Sequence, residues 1–214
     1  MKYAVIGGTG FEDLKLGKAR VIPRHGKGHT VPPHLIDHAK HIRLCKSDGC
    51  DAILSTASVG IISGYRPGDL IILRDFISFL DNPTVFNKAT GDFSKMHTDF
   101  TTPFPLADEI ARVAKEKKIG IGDGGIIAHT RGPRLETKAE IEAFGRLGAN
   151  LVGMTCVPEA ILAHESGIPY GCVAIGCNYA CGLTPENLKF DEIAAVAKER
   201  QSIVKELFDA IISR

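Results

Sequence analysis

Short apolar runs alternate along the chain with longer stretches in which apolar residues recur every three or four positions. The short runs are typical of buried strands, and the longer stretches are typical of helices with one apolar face. The predicted strands lie at residues 3–6, 52–54, 70–73, 125–129, 151–154 and 171–176. Strands and helices that alternate in this way predict an α/β fold with a central, mainly parallel β-sheet flanked by helices.

Five helices are predicted between and after these strands, at residues 35–46, 106–117, 137–147, 158–166 and 191–212. Thr137 and Glu140 have the spacing of a capping box, so the third helix should begin at Thr137. Pro158 suits the first turn of the fourth helix, where a backbone N–H has no helical partner. The last stretch keeps one apolar side throughout, which predicts a single closing helix.

The length of 214 residues predicts one domain that spans residues 1–214. Lys and Arg number 26 against 25 Asp and Glu, and this balance argues against a nucleic-acid-binding protein, which should be basic. No apolar run reaches the roughly 18 residues of a membrane helix, and the first residues lack the apolar region of a signal peptide. We therefore expect a cytoplasmic protein with neither nucleic acid nor membrane as partner.

The six cysteines form no C-x-x-C pair, and their spacings match no metal-site pattern. A chain of this size that is rich in Ile, Leu and Val needs no disulfides to hold its core. We expect six reduced thiols, most of them buried, and no metal site.

Two glycine-rich stretches suggest phosphate or dinucleotide binding. The sequence VIGGTG at residues 5–10 runs from a predicted strand into a turn where backbone N–H groups and the Thr9 hydroxyl could approach an anion, although an ordinary tight turn fits equally well. Residues 120–125 match G-x-G-x-x-G, but a helix precedes them and a strand follows, the reverse of what the dinucleotide fingerprint requires. A dinucleotide-dependent oxidoreductase is therefore disfavoured.

Several polar residues suit ligand binding, and each also has an ordinary structural interpretation. Arg24, in PRHGKGH at residues 23–29, suits phosphate or carboxylate, or belongs to a basic surface turn. The hydroxyls of residues 55–58 lie where α/β sheets bind ligands, or they cap a strand end. Glu136 suits the N–H groups of a heterocycle or a helix start, and Asn178 suits a purine edge or a turn.

The order of these motifs resembles the purine nucleoside phosphorylase / methylthioadenosine phosphorylase family along nearly the whole chain, most specifically in GPRLETKAE (residues 132–140) and GANLVGMTCVPE (residues 148–159). The resemblance implies a single-domain nucleoside phosphorylase fold with a central mixed β-sheet flanked by helices. It also implies a pentosyltransferase of purine salvage, in which inorganic phosphate attacks C1′ of a purine nucleoside and the base leaves. Phosphate is then a co-substrate, and neither a metal nor an organic cofactor is needed.

The resemblance assigns roles by matching motif. Glu136 and Asn178 become the catalytic residues at the base, Met154 contacts the ribose, and Leu135 packs on the base. The implied phosphate-binding residues carry hydroxyl, cationic or backbone donors: Thr9, Arg24, His25, Thr56, Ala57 and Thr155.

The same resemblance favours a 6-oxopurine as the base. Members that use adenine carry Asp-x-Asp where this chain has Asn178, Tyr179 and Ala180. The Asn178 amide can donate to O6 and accept from a protonated N7, and Glu136 can accept from N1–H. Hypoxanthine or guanine is therefore expected rather than adenine.

At the 5′ end of the sugar, the resemblance points to an apolar group. Phosphorylases of inosine and guanosine place a histidine near the start of the last helix, where this chain has Leu188, Phe190 and Ile193. These side chains suit a methylthio group, so the expected substrate is S-methyl-5′-thioinosine, cleaved to hypoxanthine and 5-methylthioribose 1-phosphate. The alternatives are a broader inosine/guanosine phosphorylase, a methylthioadenosine phosphorylase, and a non-catalytic nucleoside-binding protein.

The resemblance also implies a homotrimer, in which His97 reaches the 5′ pocket of a neighbouring subunit. The segment between Gly10 and Pro23 is shorter than in the family and lacks its hairpin, although the implied site residues lie outside it.

Overall fold

The computed structural model describes residues 1–80, 83–86, 93–94, 96–97, 99–185 and 188–214. Its strands and helices alternate over most of the chain, as predicted. They are β1 (Tyr3–Gly7), β2 (Arg20–Pro23), α1 (His38–Ser47), β3 (Ala52–Ile61), β4 (Leu70–Ile77), α2 (Ala107–Lys117), β5 (Gly122–His129), α3 (Lys138–Arg146), β6 (Leu151–Gly153), α4 (Cys156–Glu165), β7 (Tyr170–Tyr179), α5 (Phe190–Glu199) and α6 (Gln201–Ile212).

The strands form one mixed, seven-stranded sheet. Neighbouring strands run parallel in the pairs β1–β2, β1–β3, β3–β7, β4–β5 and β5–β6, and antiparallel in β3–β6 and β4–β7. The mainly parallel sheet predicted from the alternation is therefore confirmed, and so is the mixed sheet that the resemblance implies.

Five of the strands close into a ring, in the order β3, β7, β4, β5, β6 and back to β3. The ring closes because β3, which is ten residues long, changes partners along one edge. Its first half pairs with β1, whereas Gly60 and Ile61, beyond an irregularity in register after Val59, pair with β6. The strands β1 and β2 extend from β3 outside the ring.

The core lies on both sides of these strands, as their unbroken apolar runs predict. All five residues of β1 and the first eight residues of β7 are buried. The helix α2 packs Ile110, Val113 and Ala114 into this core, which is the face that its period predicts. All six cysteines are free thiols and five are buried, so the expected burial is confirmed. In the part of the chain that the structure describes, no helix has the length and apolarity to cross a membrane.

The prediction of one closing helix over residues 191–212 is wrong, because the helix breaks at Arg200. The helix α5 packs against β7, and its Ala197 lies next to Gly10, whereas α6 packs against α2. One straight helix could not follow both surfaces, so the chain bends between them. Because the apolar residues keep their helical spacing through residue 200, the sequence gives no sign of the bend.

The strand β2 is absent from the sequence prediction, since four residues that end in a proline show no clear period. It pairs with β1 and occupies the sheet edge. The short segment between the two strands buries Phe11, Leu14 and Leu16. Although this segment is short, it therefore contributes to the hydrophobic core.

Candidate active site

Residues at or just beyond the carboxyl ends of several strands line one cavity of about 230 Å³, together with residues of α5. Such strand ends are where α/β sheets commonly bind ligands. Most of the predicted site residues line this cavity: Thr9, Arg24, His25, Leu135, Glu136, Met154, Thr155, Asn178, Phe190 and Ile193. The sequence therefore identified residues from distant parts of the chain that the fold brings together.

Three predicted site residues do not line the cavity. Thr56 and Ala57 are buried in β3, and the Thr56 hydroxyl accepts a hydrogen bond of 3.0 Å from the Gly8 N–H. Thr56 thus contacts the glycine turn next to the cavity rather than the cavity itself. The exposed His97 lies elsewhere, with its Nδ1 3.3 Å from the carbonyl oxygen of Phe93.

Arg24 is almost completely buried, and it forms a bidentate ion pair with Glu159 of α4. Its Nε and Nη2 donate to the two carboxylate oxygens of Glu159 at 2.6 and 2.8 Å. Its Nη1 donates to the Thr56 carbonyl and its Nη2 also donates to the Ser55 hydroxyl, both at 2.6 Å. An arginine has five N–H donors, so among the described residues one N–H on Nη1 remains for a ligand in the cavity.

Glu159 has no exposed surface and collects further donors around its carboxylate. The Tyr170 hydroxyl donates to Oε2 at 2.7 Å, and Nδ1 of His38 lies 3.5 Å from Oε1. Burial alone would raise the pKa of Glu159, but the charge and hydrogen bonds of Arg24, with a contribution from His38, hold it well below its usual value. Glu159 is therefore ionised, and it balances the charge of Arg24.

His25 lies in the cavity wall as a neutral imidazole. Its Nδ1 is 2.9 Å from the Val31 carbonyl oxygen, and its ring stacks on His29 with the centroids 4.3 Å apart. Burial and the adjacent Arg24 lower the pKa of His25 to about 4. A carbonyl oxygen only accepts hydrogen bonds, so the proton is on Nδ1 and Nε2 carries a lone pair.

Glu136 and Asn178 keep polar atoms for a ligand. Oε1 of the buried Glu136 accepts a 2.6 Å hydrogen bond from the Thr130 hydroxyl, which leaves Oε2 without a partner in the described chain. The Asn178 amide donates one N–H to the Tyr179 carbonyl at 2.8 Å, which leaves its oxygen and second N–H. Leu135, 44% exposed, lies beside them in the cavity lining.

The loop before α3 is fixed where it enters the helix. The predicted capping box is confirmed, since the Thr137 hydroxyl accepts from the Glu140 N–H and the Glu140 carboxylate accepts from the Thr137 N–H. Arg134 forms two hydrogen bonds with the same carboxylate, at 2.8 and 2.7 Å. These contacts hold the loop that presents Leu135 and Glu136 to the cavity.

A model of the phosphorylase superfamily matches residues 3–213 of this sequence. The chain belongs to the phosphorylase superfamily. A relative named probable 6-oxopurine nucleoside phosphorylase, from Moorella thermoacetica, is 35% identical over 97% of this chain and 90% of its own length. Another, named probable S-methyl-5′-thioinosine phosphorylase, from Methanopyrus kandleri, is 35% identical over 99% of this chain and 91% of its own.

A solved structure shares the fold of this superfamily member. It is a mutant adenosine/methylthioadenosine phosphorylase from Schistosoma mansoni in complex with methylthioadenosine, with a TM-score of 0.88 and 24% sequence identity. The match covers 99% of this chain and 90% of the other. The likeness confirms the nucleoside phosphorylase fold expected from the motifs.

Two polar residues of this superfamily member were missed as site residues by the sequence reasoning. Glu159 belongs to the motif at residues 148–159, but its pairing with Arg24 across the fold has no local signal in the sequence. His29 lines the cavity, with Nδ1 2.6 Å from a Glu12 carboxylate oxygen and its ring centroid 5.2 Å from that of Phe190. The resemblance points to residues 188–193 for a histidine near the 5′ group, whereas His29 comes from the loop after β2.

No group of three or more His, Cys, Asp or Glu side chains arranged to hold a metal occurs in the described residues. That the superfamily member works without metal or organic cofactor stays a prediction.

Proposed function

We propose that this chain cleaves a 6-oxopurine nucleoside with inorganic phosphate, releasing the purine base and a pentose 1-phosphate. One observation carries the proposal: a single cavity combines Arg24, Thr9 and Thr155, which suit an anion, with Glu136 and Asn178, which suit a purine edge. The names of the relatives from Moorella and Methanopyrus support a nucleoside phosphorylase that acts on 6-oxopurines.

Phosphate binding would depend on donors held in place by the fold. The free N–H of Arg24 and the hydroxyls of Thr9 and Thr155 belong to the cavity wall. Thr155 is also the residue that precedes α4, and the first turn of a helix carries free N–H groups and a partial positive charge. Thr56 supports this set through its contacts with Gly8 and Arg24, and Ala57 packs beside it in β3.

In the proposed reaction, an oxygen of phosphate forms a bond to C1′ as the bond between C1′ and N9 breaks. The electron pair of that bond passes to the purine, and N7 takes up a proton from solvent as the base leaves. The attacking phosphate gives up its P–O–H proton in turn, so the products are the neutral base and the pentose 1-phosphate. The amide of Asn178 can donate to O6 and accept from N7–H, and Oε2 of Glu136 can accept from N1–H. The hydrogen bond from Asn178 to O6 strengthens as negative charge develops on the base, and the bond from N7–H forms only as N7 is protonated. Both therefore stabilise the transition state more than the substrate, whereas Glu136 holds the base in place in both states.

The favoured substrate is S-methyl-5′-thioinosine, with hypoxanthine and 5-methylthioribose 1-phosphate as products. The side chains of Leu188, Phe190 and Ile193 line the cavity, and each offers only apolar atoms. Burial of a methylthio group against them is favourable, whereas a hydroxyl gains nothing there.

A broader inosine/guanosine phosphorylase is the second candidate, and the position of His29 favours it. The His29 ring contacts Phe190 and lines the same cavity, so its Nε2 offers a polar partner close to the apolar side chains. A 5′-hydroxyl could use this nitrogen, which the residues of α5 alone could not provide.

We further propose a cytoplasmic homotrimer in which His97 acts in a neighbouring subunit's site, with no metal or organic cofactor. Exposed apolar side chains in the same region support a covered surface: Phe79 is 76% exposed and Phe93 is 58% exposed. Sizing of the active enzyme checks the assembly, and a fully active monomer contradicts it.

A substrate panel tests the proposed function. Base release from S-methyl-5′-thioinosine, S-methyl-5′-thioadenosine, inosine and guanosine is measured with and without phosphate. We expect phosphate-dependent release of hypoxanthine, fastest from S-methyl-5′-thioinosine. A preference for inosine would select the second candidate, a preference for the adenosine compound would overturn the 6-oxopurine assignment, and binding without phosphate consumption would indicate a nucleoside-binding protein.

A further inference from the structure

His25 differs from the other polar groups around the proposed phosphate position because its free nitrogen can only accept a hydrogen bond. Its Nδ1–H is committed to the Val31 carbonyl, at 2.9 Å. The ring is held in this orientation by stacking on His29, which is itself held by Glu12. His25 lines the cavity, and no described residue donates to its Nε2.

The other polar side chains at the proposed phosphate position offer hydrogen-bond donors to an anion. Arg24 offers an N–H, and Thr9 and Thr155 offer hydroxyls. The carboxylate of Glu159 is fully buried and is occupied by Arg24, Ser55 and Tyr170. An anion oxygen that carries no proton can therefore accept hydrogen bonds from Arg24, Thr9 and Thr155. The Nε2 lone pair of His25 would repel the same oxygen.

We propose that His25 selects oxyanions that carry a proton, by accepting a hydrogen bond from the P–O–H group of monohydrogen phosphate. The proposal rests on the proposed phosphorolysis, and it names the form of the co-substrate that the site takes. Sulfate has the same size and charge as monohydrogen phosphate at neutral pH, but it has no O–H to donate. One oxygen of phosphate is thereby fixed at His25, which orients the other three toward the donors and C1′.

The low pKa of His25, about 4, agrees with this assignment because it leaves the ring neutral near pH 7 when the anion arrives. The charged and titratable groups that face the ring are Arg24, His29 and Glu12. Arg24 and burial disfavour a proton on Nε2, and Glu12 is engaged by His29.

Four anions test the proposal in the wild-type protein. Phosphate and arsenate carry an O–H at pH 7.5 and should serve as co-substrates with KM values within about threefold of each other. Sulfate and monofluorophosphate are dianions of similar shape without that proton. We expect each to inhibit competitively against phosphate, with an inhibition constant at least about tenfold above the KM of phosphate.

The variant His25→Gln makes the test specific to this residue. An amide can turn either its oxygen or its NH₂ toward the anion, so the ratio of the sulfate inhibition constant to the phosphate KM should fall toward one. His164→Gln, on the last turn of α4 and outside the cavity, is the matched control and should keep the wild-type ratio.

The outcomes separate this inference from the proposed function. If the wild type consumes no phosphate, the phosphorylase assignment fails, and the anion affinities measured by thermal shift still report the selectivity of the site. If the enzyme is active but sulfate or monofluorophosphate inhibits as tightly as phosphate binds, the role of His25 is refuted. An unchanged ratio in a folded His25→Gln protein also refutes it, and the wild-type comparison decides alone if that variant does not fold.

Discussion

Arg24 and Glu159 each depend on the other, because both are charged and neither has more than 1% of its surface exposed. A buried charge loses its hydration, and only a partner with good geometry offsets that loss. The bidentate contact, together with the hydroxyl of Tyr170, provides this geometry. The pair therefore stabilises the fold only when both members are present.

We expect Glu159→Gln to lower the free energy of unfolding by about 3–5 kcal/mol, since the substitution leaves the Arg24 charge buried without a counter-charge. Urea denaturation followed by circular dichroism measures this loss. Glu142→Gln is the matched control, because Glu142 forms only a 3.9 Å surface contact with Lys138, and it should change stability by less than about 0.5 kcal/mol. Equal effects of the two substitutions would contradict the structural role of Glu159.

The amide of Asn178 allows a prediction about the base. Asn178→Asp removes the N–H that can donate to O6, and its carboxylate can instead accept from a 6-amino group. We expect the ratio of kcat/KM for S-methyl-5′-thioadenosine to that for S-methyl-5′-thioinosine to rise about tenfold or more. Asn178→Ala should slow both substrates without this shift, and an unchanged ratio in Asn178→Asp would argue against a contact with O6.

The position of a single residue in the site was predictable from sequence where that residue belongs to a recognisable motif. It was less predictable where only the tertiary fold brings the residue next to its partner. Thr9, Met154 and Thr155 follow strands in recognisable motifs, and all three line the cavity. The pairing of Arg24 with Glu159 joins residues 135 positions apart, so no spacing in the sequence could predict it. The motif match assigns Thr56 to phosphate, but in the fold its buried hydroxyl accepts from the N–H of Gly8.

At the level of elements, the loop between β5 and α3 must approach Met154 closely. Gly132 in this loop has a φ of +66°, and a Cβ built on it would lie 2.5 Å from the Met154 sulfur. Any side chain at this position would therefore displace Met154 from the cavity wall.

We expect Gly132→Ala to lower kcat/KM for the nucleoside about tenfold or more, because Met154 must move. Gly148→Ala is the matched control: its φ is +97°, but nothing lies within 4 Å of the added Cβ. It should share the backbone strain, about 1–2 kcal/mol of lost stability, and keep wild-type kinetics. Steady-state kinetics and thermal unfolding of both variants check this, and equal activity in the two would show that Met154 tolerates the shift.

Elements with a long, regular period were predictable, and those defined by tertiary contacts were not. The apolar face of α2 and the capping box of α3 are encoded locally, so both were predicted correctly. The closed ring depends on where β3 exchanges β1 for β6, and the bend at Arg200 depends on which surfaces α5 and α6 meet. Neither the change of partner along β3 nor the bend at Arg200 alters the hydrophobic periodicity of the sequence.

At the scale of the whole molecule, charge is nearly balanced, with 26 basic and 25 acidic residues. The same balance recurs in the cavity wall, where the charge of Arg24 is offset by Glu159. An anion at this site would therefore be bound mainly by directed N–H and O–H donors rather than by a broad positive potential. This arrangement agrees with a site that distinguishes similar dianions by their hydrogen bonds.

Acid should destabilise the molecule before its carboxylates are protonated, because two buried histidines are neutral in the fold. Burial lowers the pKa of both His25 and His129 from 6.5 to about 4, with Arg24 adding to the effect at His25 and His38 at His129. The unfolded chain takes up these protons near pH 6.5, whereas the folded chain does so only near pH 4. Stability is therefore fully present above pH 6.5 and falls as the pH drops toward 4.

Each of the two histidines should account for a loss of about 3 kcal/mol across this window, since one pKa unit corresponds to about 1.4 kcal/mol. Urea denaturation at intervals between pH 8 and pH 4 measures the slope. His129→Gln removes one of the titrating groups, so its unfolding free energy should decline less steeply below pH 6.5 than that of the wild type. Parallel curves for the two proteins would show that His129 is not held neutral, and the acid sensitivity would then have to come from other groups.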